Sequence, residues 1–155
     1  MFELFFDDCI SPKMIKEIKG LIQYHPQKDV LIHHLKDHFN AEGEKDIFWL
    51  NKIDKDWLVI TADRGVYSKQ EDKLPLICKQ LGIKLILISA GIHKRKQFYK
   101  ALAILYCWDD ILKLVDEQPG VQYCLRLTTY LKPYLIKKKT QKSINMQPTK
   151  QINTL

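Results

Sequence analysis

The amino-acid sequence predicts an α/β protein, a three-layer α/β/α sandwich around a mostly parallel central sheet. Three observations lead there. Short apolar runs and amphipathic stretches of helical period alternate as β-α-β-α-β-α-β-α-β, the order that a parallel sheet flanked by helices with right-handed crossovers produces. Runs such as residues 2–6 and 57–62 are nearly continuous in apolar character, as strands covered on both faces are. Acidic residues stand close behind those runs or at helix starts, namely Asp7 and Asp8, Asp37, Asp46 and Asp63. They lie where the C-terminal strand ends of such a sheet gather ligands.

Each element has a local reason. Residues 2–6 form a buried first strand, and Ser11-Pro12 sets an N-cap and first helical position for a helix over 13–24. Its apolar positions Met14, Ile15, Ile18, Leu21 and Ile22 recur at helical spacing, and His25-Pro26 stops it. A second strand is expected over 30–33. After the loop at 40–43, residues 44–55 read as a helix with Ile47, Phe48, Leu50 and Ile53 inward. The third strand covers 57–61. A loop over 64–69 leads to a helix over 70–81, which Gly82 ends as a C-cap. The fourth strand is 84–88, and one long amphipathic helix over 94–115 carries a break near Trp108. Gly120 opens a last strand over 121–127. Residues 1–136 are expected to form one domain, and the polar, Lys-rich residues 137–155 a flexible tail.

Composition excludes several classes. With 155 residues and 46% hydrophobic residues the chain is long enough for one real core, and no apolar run is long enough to cross a bilayer. No basic, apolar and small-residue leader pattern opens it, so a cytoplasmic protein without a membrane partner is expected. Cys9, Cys78, Cys107 and Cys124 form no CxxC pair, which argues for reduced thiols and against zinc. The net charge of +7, from 25 Lys and Arg against 18 Asp and Glu, favours a polyanionic partner such as nucleic acid.

Carboxylates at the ends of buried strands are costly unless neutralised. Several of them without an obvious cationic partner point to a hard divalent cation, because Mg²⁺ and Mn²⁺ take oxygen ligands. Any single Asp after a strand also serves as a helix cap or turn residue. His33, His34 and His38 lie near Asp37, but neither their spacing nor their mixed faces supports a metal set. Tyr99, Tyr106 and Trp108 are expected in the core or on a homodimer face.

Four stretches in order resemble PIN-like domains. Phe5-Phe6-Asp7-Asp8-Cys9-Ile10-Ser11-Pro12 resembles their opening strand, Asp and helix start. His34-Leu35-Lys36-Asp37 resembles their second strand exit, and Lys45-Asp46-Ile47-Phe48-Trp49-Leu50 a helix start. Trp57 to Arg64 resembles their Thr-x-Asp strand end, and the resemblance covers residues 2–90, closest to the VapC-type toxin branch. It implies a Mg²⁺- or Mn²⁺-dependent endoribonuclease, the toxin of a toxin–antitoxin pair with a cognate antitoxin. Carried over by position, Asp7, Asp46 and Asp63 are the catalytic, metal-binding acids and Asp72 is a fourth metal candidate. Ser11, Thr61, Arg64, Lys69, Lys94, Arg95 and Lys96 are candidate substrate contacts. Asp8 stands where relatives often carry Asn, and Asp46 where they carry the longer Glu.

Two other classes compete. A receiver-like signalling domain would use Asp7-Asp8, Asp63 and Ser89, but it needs a Lys at the end of the last strand, and Cys124-Leu125-Arg126-Leu127-Thr128 has none. A non-catalytic PIN-like interaction module would not require Asp7, Asp46 and Asp63 together.

Overall fold

The structure, a computed structural model, describes residues 2–27, 29–39, 45–63 and 73–138. The chain lays down β1 (Phe2–Phe6), α1 (Pro12–Ile22), β2 (Val30–His34), α2 (Leu35–Phe39), α3 (Asp46–Leu50), β3 (Leu58–Thr61) and α4 (Leu74–Leu81). It continues with β4 (Lys84–Ile88), α5 (Ala90–His93), α6 (Gln97–Tyr106), α7 (Trp108–Leu112) and a 3₁₀ turn (Lys113–Asp116). The last elements are β5 (Gln122–Leu127) and β6 (Pro133–Lys137). The strands form one sheet in the order β2-β1-β3-β4-β5-β6. The first five run parallel and β6 is antiparallel to β5.

Strand alternation divides the core into two halves. Leu4, Phe6, Leu58, Ile60, Ile86 and Ile88 point to the layer of α1, α5, α6 and α7, where Ile18, Ile104 and Trp108 meet them. Phe5, Val59 and Leu85 point to the other layer, against Trp49 and Leu50 of α3 and Ile77 and Cys78 of α4. A sheet covered on both faces in this way explains the unbroken apolar runs.

The connections set a switch point. From β1 the chain steps one way to β2 through α1, then crosses back over β1 to β3 through α2 and α3 on the opposite face. Asp7 and Asp63 therefore follow neighbouring strands whose next helices, α1 and α4, cover opposite faces of the sheet, the arrangement of a switch point. The step from β4 to β5 advances in the same direction as that from β3 to β4, yet its helices cover the α1 face. The two crossovers so have opposite hands, contrary to the expectation of uniformly right-handed ones. The handedness rule rests on a single helix folding back onto twisted strands; here three short helices make the return.

Several local expectations are corrected. The long helix starts at Gln97, after the separate short α5, and its expected break near Trp108 falls at Cys107 (φ −96°, ψ 14°) between α6 and α7. Lys94, Arg95 and Lys96 consequently form the turn before α6. Helix α3 is one short piece, because the Asn51 side chain donates to the Ile47 carbonyl (2.7 Å) at its end. Phe48 is 58% exposed and Trp49 takes the inward place. Strand β6 and helix α2 were not expected from the sequence. Pro133 is tolerated as the first residue of an edge strand, and Leu131 enters the preceding turn at φ 60°. Gly82, at φ 72°, does cap α4, with the Ile83 N–H donating to the Cys78 carbonyl at 2.8 Å. Arg64, Lys69, Asp72 and residues 139–155 lie outside the described residues.

Candidate active site

Strand β1 delivers Asp7 and strand β3 delivers Thr61 to the same side of the sheet. Asp7 lies two residues past Phe5 and Thr61 two past Val59, so both share the side of α3 and α4. Asp7 is only 5% exposed and Thr61 is fully buried. The Asp7 N–H donates to the Ile60 carbonyl (3.2 Å), which carries the β1–β3 pairing up to the acid itself.

The Thr61 hydroxyl is the hub of a closed network. It donates to Asp7 Oδ2 at 2.8 Å and accepts the Asp63 N–H at 2.9 Å. Cys9 Sγ lies 3.3 Å from the same oxygen and accepts the Ala62 N–H at 3.1 Å. Because the one hydroxyl proton goes to the carboxylate, the thiol must be the donor toward Thr61. A thiolate could not fill that place. Cys9 is exposed as a residue, but its sulfur is turned into this network, and burial followed by the Asp7 charge pushes the thiol up to about 12. The other Asp7 oxygen, Oδ1, accepts the Asp8 N–H at 2.6 Å. Asp8 thus holds Asp7 through its backbone, while its carboxylate turns toward Lys36 at 3.7 Å.

Helix α3 brings the third acid. Asp46 is its first residue and Trp49 lies one turn on, so the Trp49 Nε1–H reaches back to Asp46 Oδ1 at 3.1 Å. Trp49 in turn stacks on Phe5 of β1, with ring centroids 5.0 Å apart and planes at 21°. The indole therefore fixes Asp46 to the strand that carries Asp7. Burial pushes the Asp46 carboxyl up to about 6; the Asp7 charge adds to the rise, the Trp49 bond opposes it, and Asp63 adds again. Cys78 of α4 is fully buried, and its thiol is raised by burial and then by Asp46 and Asp7, so α4 closes the same region. Asp7 and Asp63 thus stand near enough for their charges to reach the Asp46 carboxyl. Among the described residues, no group of three or more His, Cys, Asp or Glu side chains stands close enough together to hold a metal ion.

The remaining candidates are dispersed. Asp37 is exposed on α2. Ser11 occupies the N-cap position of α1, but its side chain makes no capping hydrogen bond. Lys94, Arg95 and Lys96 sit past α5 on the α1 side of the sheet, while Asp46 belongs to the opposite helical layer. Of the three histidines, His34 stands apart from the pair His33 and His38. His34 is fully buried, with Nε2 2.7 Å from the Ile10 carbonyl and Nδ1 accepting the Lys36 N–H at 3.2 Å. These partners require the neutral ring with the proton on Nε2, and they fasten the loop after Asp7 to the end of β2. His33 meets Glu3 at 2.8 Å and stacks on Trp57, and His38 packs edge-on against His33.

Sequence reasoning missed Cys9, Trp49 and His34 as supports of the acids. The usable signal was position: Cys9 lies two residues after Asp7, and Trp49 one helical turn after Asp46. No helix among the described residues is long and apolar enough to cross a membrane.

Searches among curated proteins and among solved structures returned no match. A family model described as a PIN like domain matches residues 2–89. That span is more than half of the chain, and it holds Asp7, Asp46, Thr61, Asp63 and the strands on either side of the switch point. The chain belongs to the PIN-like domain family.

Proposed function

We propose that the protein is a Mg²⁺- or Mn²⁺-dependent endoribonuclease whose acids are Asp7, Asp46 and Asp63. The observation that carries this reading is Asp46, a carboxyl held near pKa 6 by burial and by two further carboxylates. Acids arranged to repel one another in a poorly solvated place are relieved by a positive charge. The donors are all carboxylate oxygens, a set that suits a hard divalent cation, and binding one would draw the three acids closer together than they stand here. Such a cation, when bound, neutralises phosphate charge and lowers the pKa of its water.

The chain's own residues prepare that site. Thr61 and the Asp8 N–H fix the orientation of Asp7 from both oxygens. Trp49 sets the rotamer of Asp46 and, with Phe5, keeps water from its inner side. Asp72 is the fourth acid in this reading, and Arg64 and Lys69, which follow Asp63 in the sequence, supply phosphate contacts. Lys94 and Lys96 lie on the other side of the sheet from Asp46 and contribute to the +7 charge that draws RNA to the surface, and Ser11 is a further candidate contact. A role as the cytoplasmic toxin of a toxin–antitoxin pair is the biological form in which we cast it.

Cleavage of an end-labelled single-stranded RNA by the purified protein tests the reading. Mg²⁺ or Mn²⁺ should support it, EDTA should stop it, and Asp7→Asn should remove most of the rate with the fold intact. Full cleavage by Asp7→Asn would assign the activity to another site or to a contaminant.

A further inference from the structure

Helix α6 stands as a ridge between two apolar grooves. Toward α1, Met14 and Leu21 face Phe98, Ala101, Leu102 and Leu105 across about 500 Å³. Toward the β5–β6 hairpin, Tyr99, Leu102 and Tyr106 face Leu127, Leu131 and Pro133 across about 560 Å³. Phe98 is 67% exposed and Tyr106 59%, and Leu21 and Leu131 are more than half exposed. The core is served by the other side of the helix, through Ala103 and Ile104. Each large side chain left in water forgoes about 1.5–3 kcal/mol of burial, and a contiguous patch of them marks an interaction surface.

We propose that this ridge docks an acidic amphipathic helix of a partner protein. The charge around it is complementary to such a helix. Lys13 and Arg95 line the grooves, with Glu17 as the acid among the lining residues. Lys132 lies over the Tyr106 ring at 5.7 Å. The Arg95 guanidinium lines the groove beside Tyr99, so a carboxylate docked on that side has a cation to pair with. Apolar side chains at helical spacing on the incoming segment would fill the two grooves flanking the ridge. A second copy of the chain fits worse, because an isologous contact would press the same cations together. The chain's own residues 139–155 also fit badly, since they carry Lys139, Lys142 and Lys150 and no acid. Single-stranded RNA would find the cations and the Phe98, Tyr99 and Tyr106 rings, but the aliphatic walls between those rings, Met14, Leu21, Leu102, Leu105 and Leu127, are surface that a helix fills and bases leave open.

The inference does not depend on nuclease activity, and its test uses no cleavage. Two fluorescein-labelled synthetic peptides of equal length carry the same Leu pattern, one flanked by Glu and the other by Lys. Anisotropy with the full chain should give micromolar binding of the Glu peptide and none of the Lys peptide. Leu102→Asp should abolish that binding, and Arg95→Gln should weaken it about tenfold. Circular dichroism melts establish that both variants are folded, and Phe98→Asp replaces Leu102→Asp if that variant is not. Four results would overturn the proposal: equal binding of the two peptides, no binding of either up to about 1 mM, a dimer in sedimentation that Leu102→Asp dissociates, or oligouridylate binding that Leu102→Asp removes.

Discussion

Replacing Asp46 with Asn should make the metal-free protein more stable while removing a residue on which the proposed activity depends. Asn keeps the Oδ1 that accepts the Trp49 indole proton and deletes only the charge. The unfolded chain titrates this acid near 3.9, and the folded protein holds it at about 6. The folded state therefore binds the proton more tightly. Asp46 carries no penalty below the unfolded value, and stability is lost as pH rises through about 6 and stays lost above it. The full difference of roughly two pKa units corresponds to about 3 kcal/mol. Asp46 is only partly buried, and solvent screening reduces the expected gain to about 1–2 kcal/mol. Urea melts of both proteins in EDTA at pH 7.5 and pH 4 provide the assay. Asn should be the more stable at pH 7.5, the difference should vanish at pH 4, and Mn²⁺ should shrink it by stabilising the wild type alone. A variant less stable than wild type at pH 7.5, or an advantage independent of pH, would refute the burial and charge that raise the Asp46 carboxyl.

Three further outcomes follow from the same contacts. Thr61→Val should cost roughly 2–3 kcal/mol in urea melts, because it strands the Asp7 oxygen and the Asp63 N–H; a change within about 0.5 kcal/mol would mean the network is not held in solution. Cys9 should alkylate about a thousandfold more slowly than a free cysteine at pH 8, as the thiolate fraction at a pKa of about 12 requires. Mass spectrometry reads this, and labelling at the free-cysteine rate would contradict the buried thiol. Trp49→Phe removes the bond that lowers the Asp46 pKa, so carboxyl NMR should find Asp46 titrating above 6; a downward move would deny that the indole bond helps keep the acid ionised.

The places of Asp7, Asp46 and Asp63 in the fold were legible in the sequence because each follows a strong local signal. Asp7 and Asp63 come directly behind apolar runs, and Lys45-Asp46 opens a helical pattern. Strand β4 was read at its observed bounds because six apolar or stem-buried residues stand between Gly82 and Ser89. What was not legible depends on strand order. The Thr61–Asp7 bond exists because β1 and β3 are neighbours across a sequence separation of more than fifty residues, and no local pattern states that neighbourhood. The choice between Phe48 and Trp49 as the inward residue failed for a different reason. A helix of five residues has too few turns to define a face. Strand β6 was hidden by its initial proline and by the lysines that follow it. The expected nearness of Lys94, Arg95 and Lys96 to the acids assumed one side for all loops after strands, whereas the β4–β5 return passes over the α1 face.

The central claim is that Asp7, Asp46 and Asp63 act as one cation centre, and Mn²⁺ binding followed by electron paramagnetic resonance tests it most directly. Wild type and the three single Asn variants would be titrated with Mn²⁺ in the absence of RNA. The account predicts saturable binding to wild type that competes with Mg²⁺ and weakens at least tenfold in each of the three variants. Binding that persists unchanged in Asp7→Asn and Asp46→Asn, or no saturable binding to wild type at all, would contradict it.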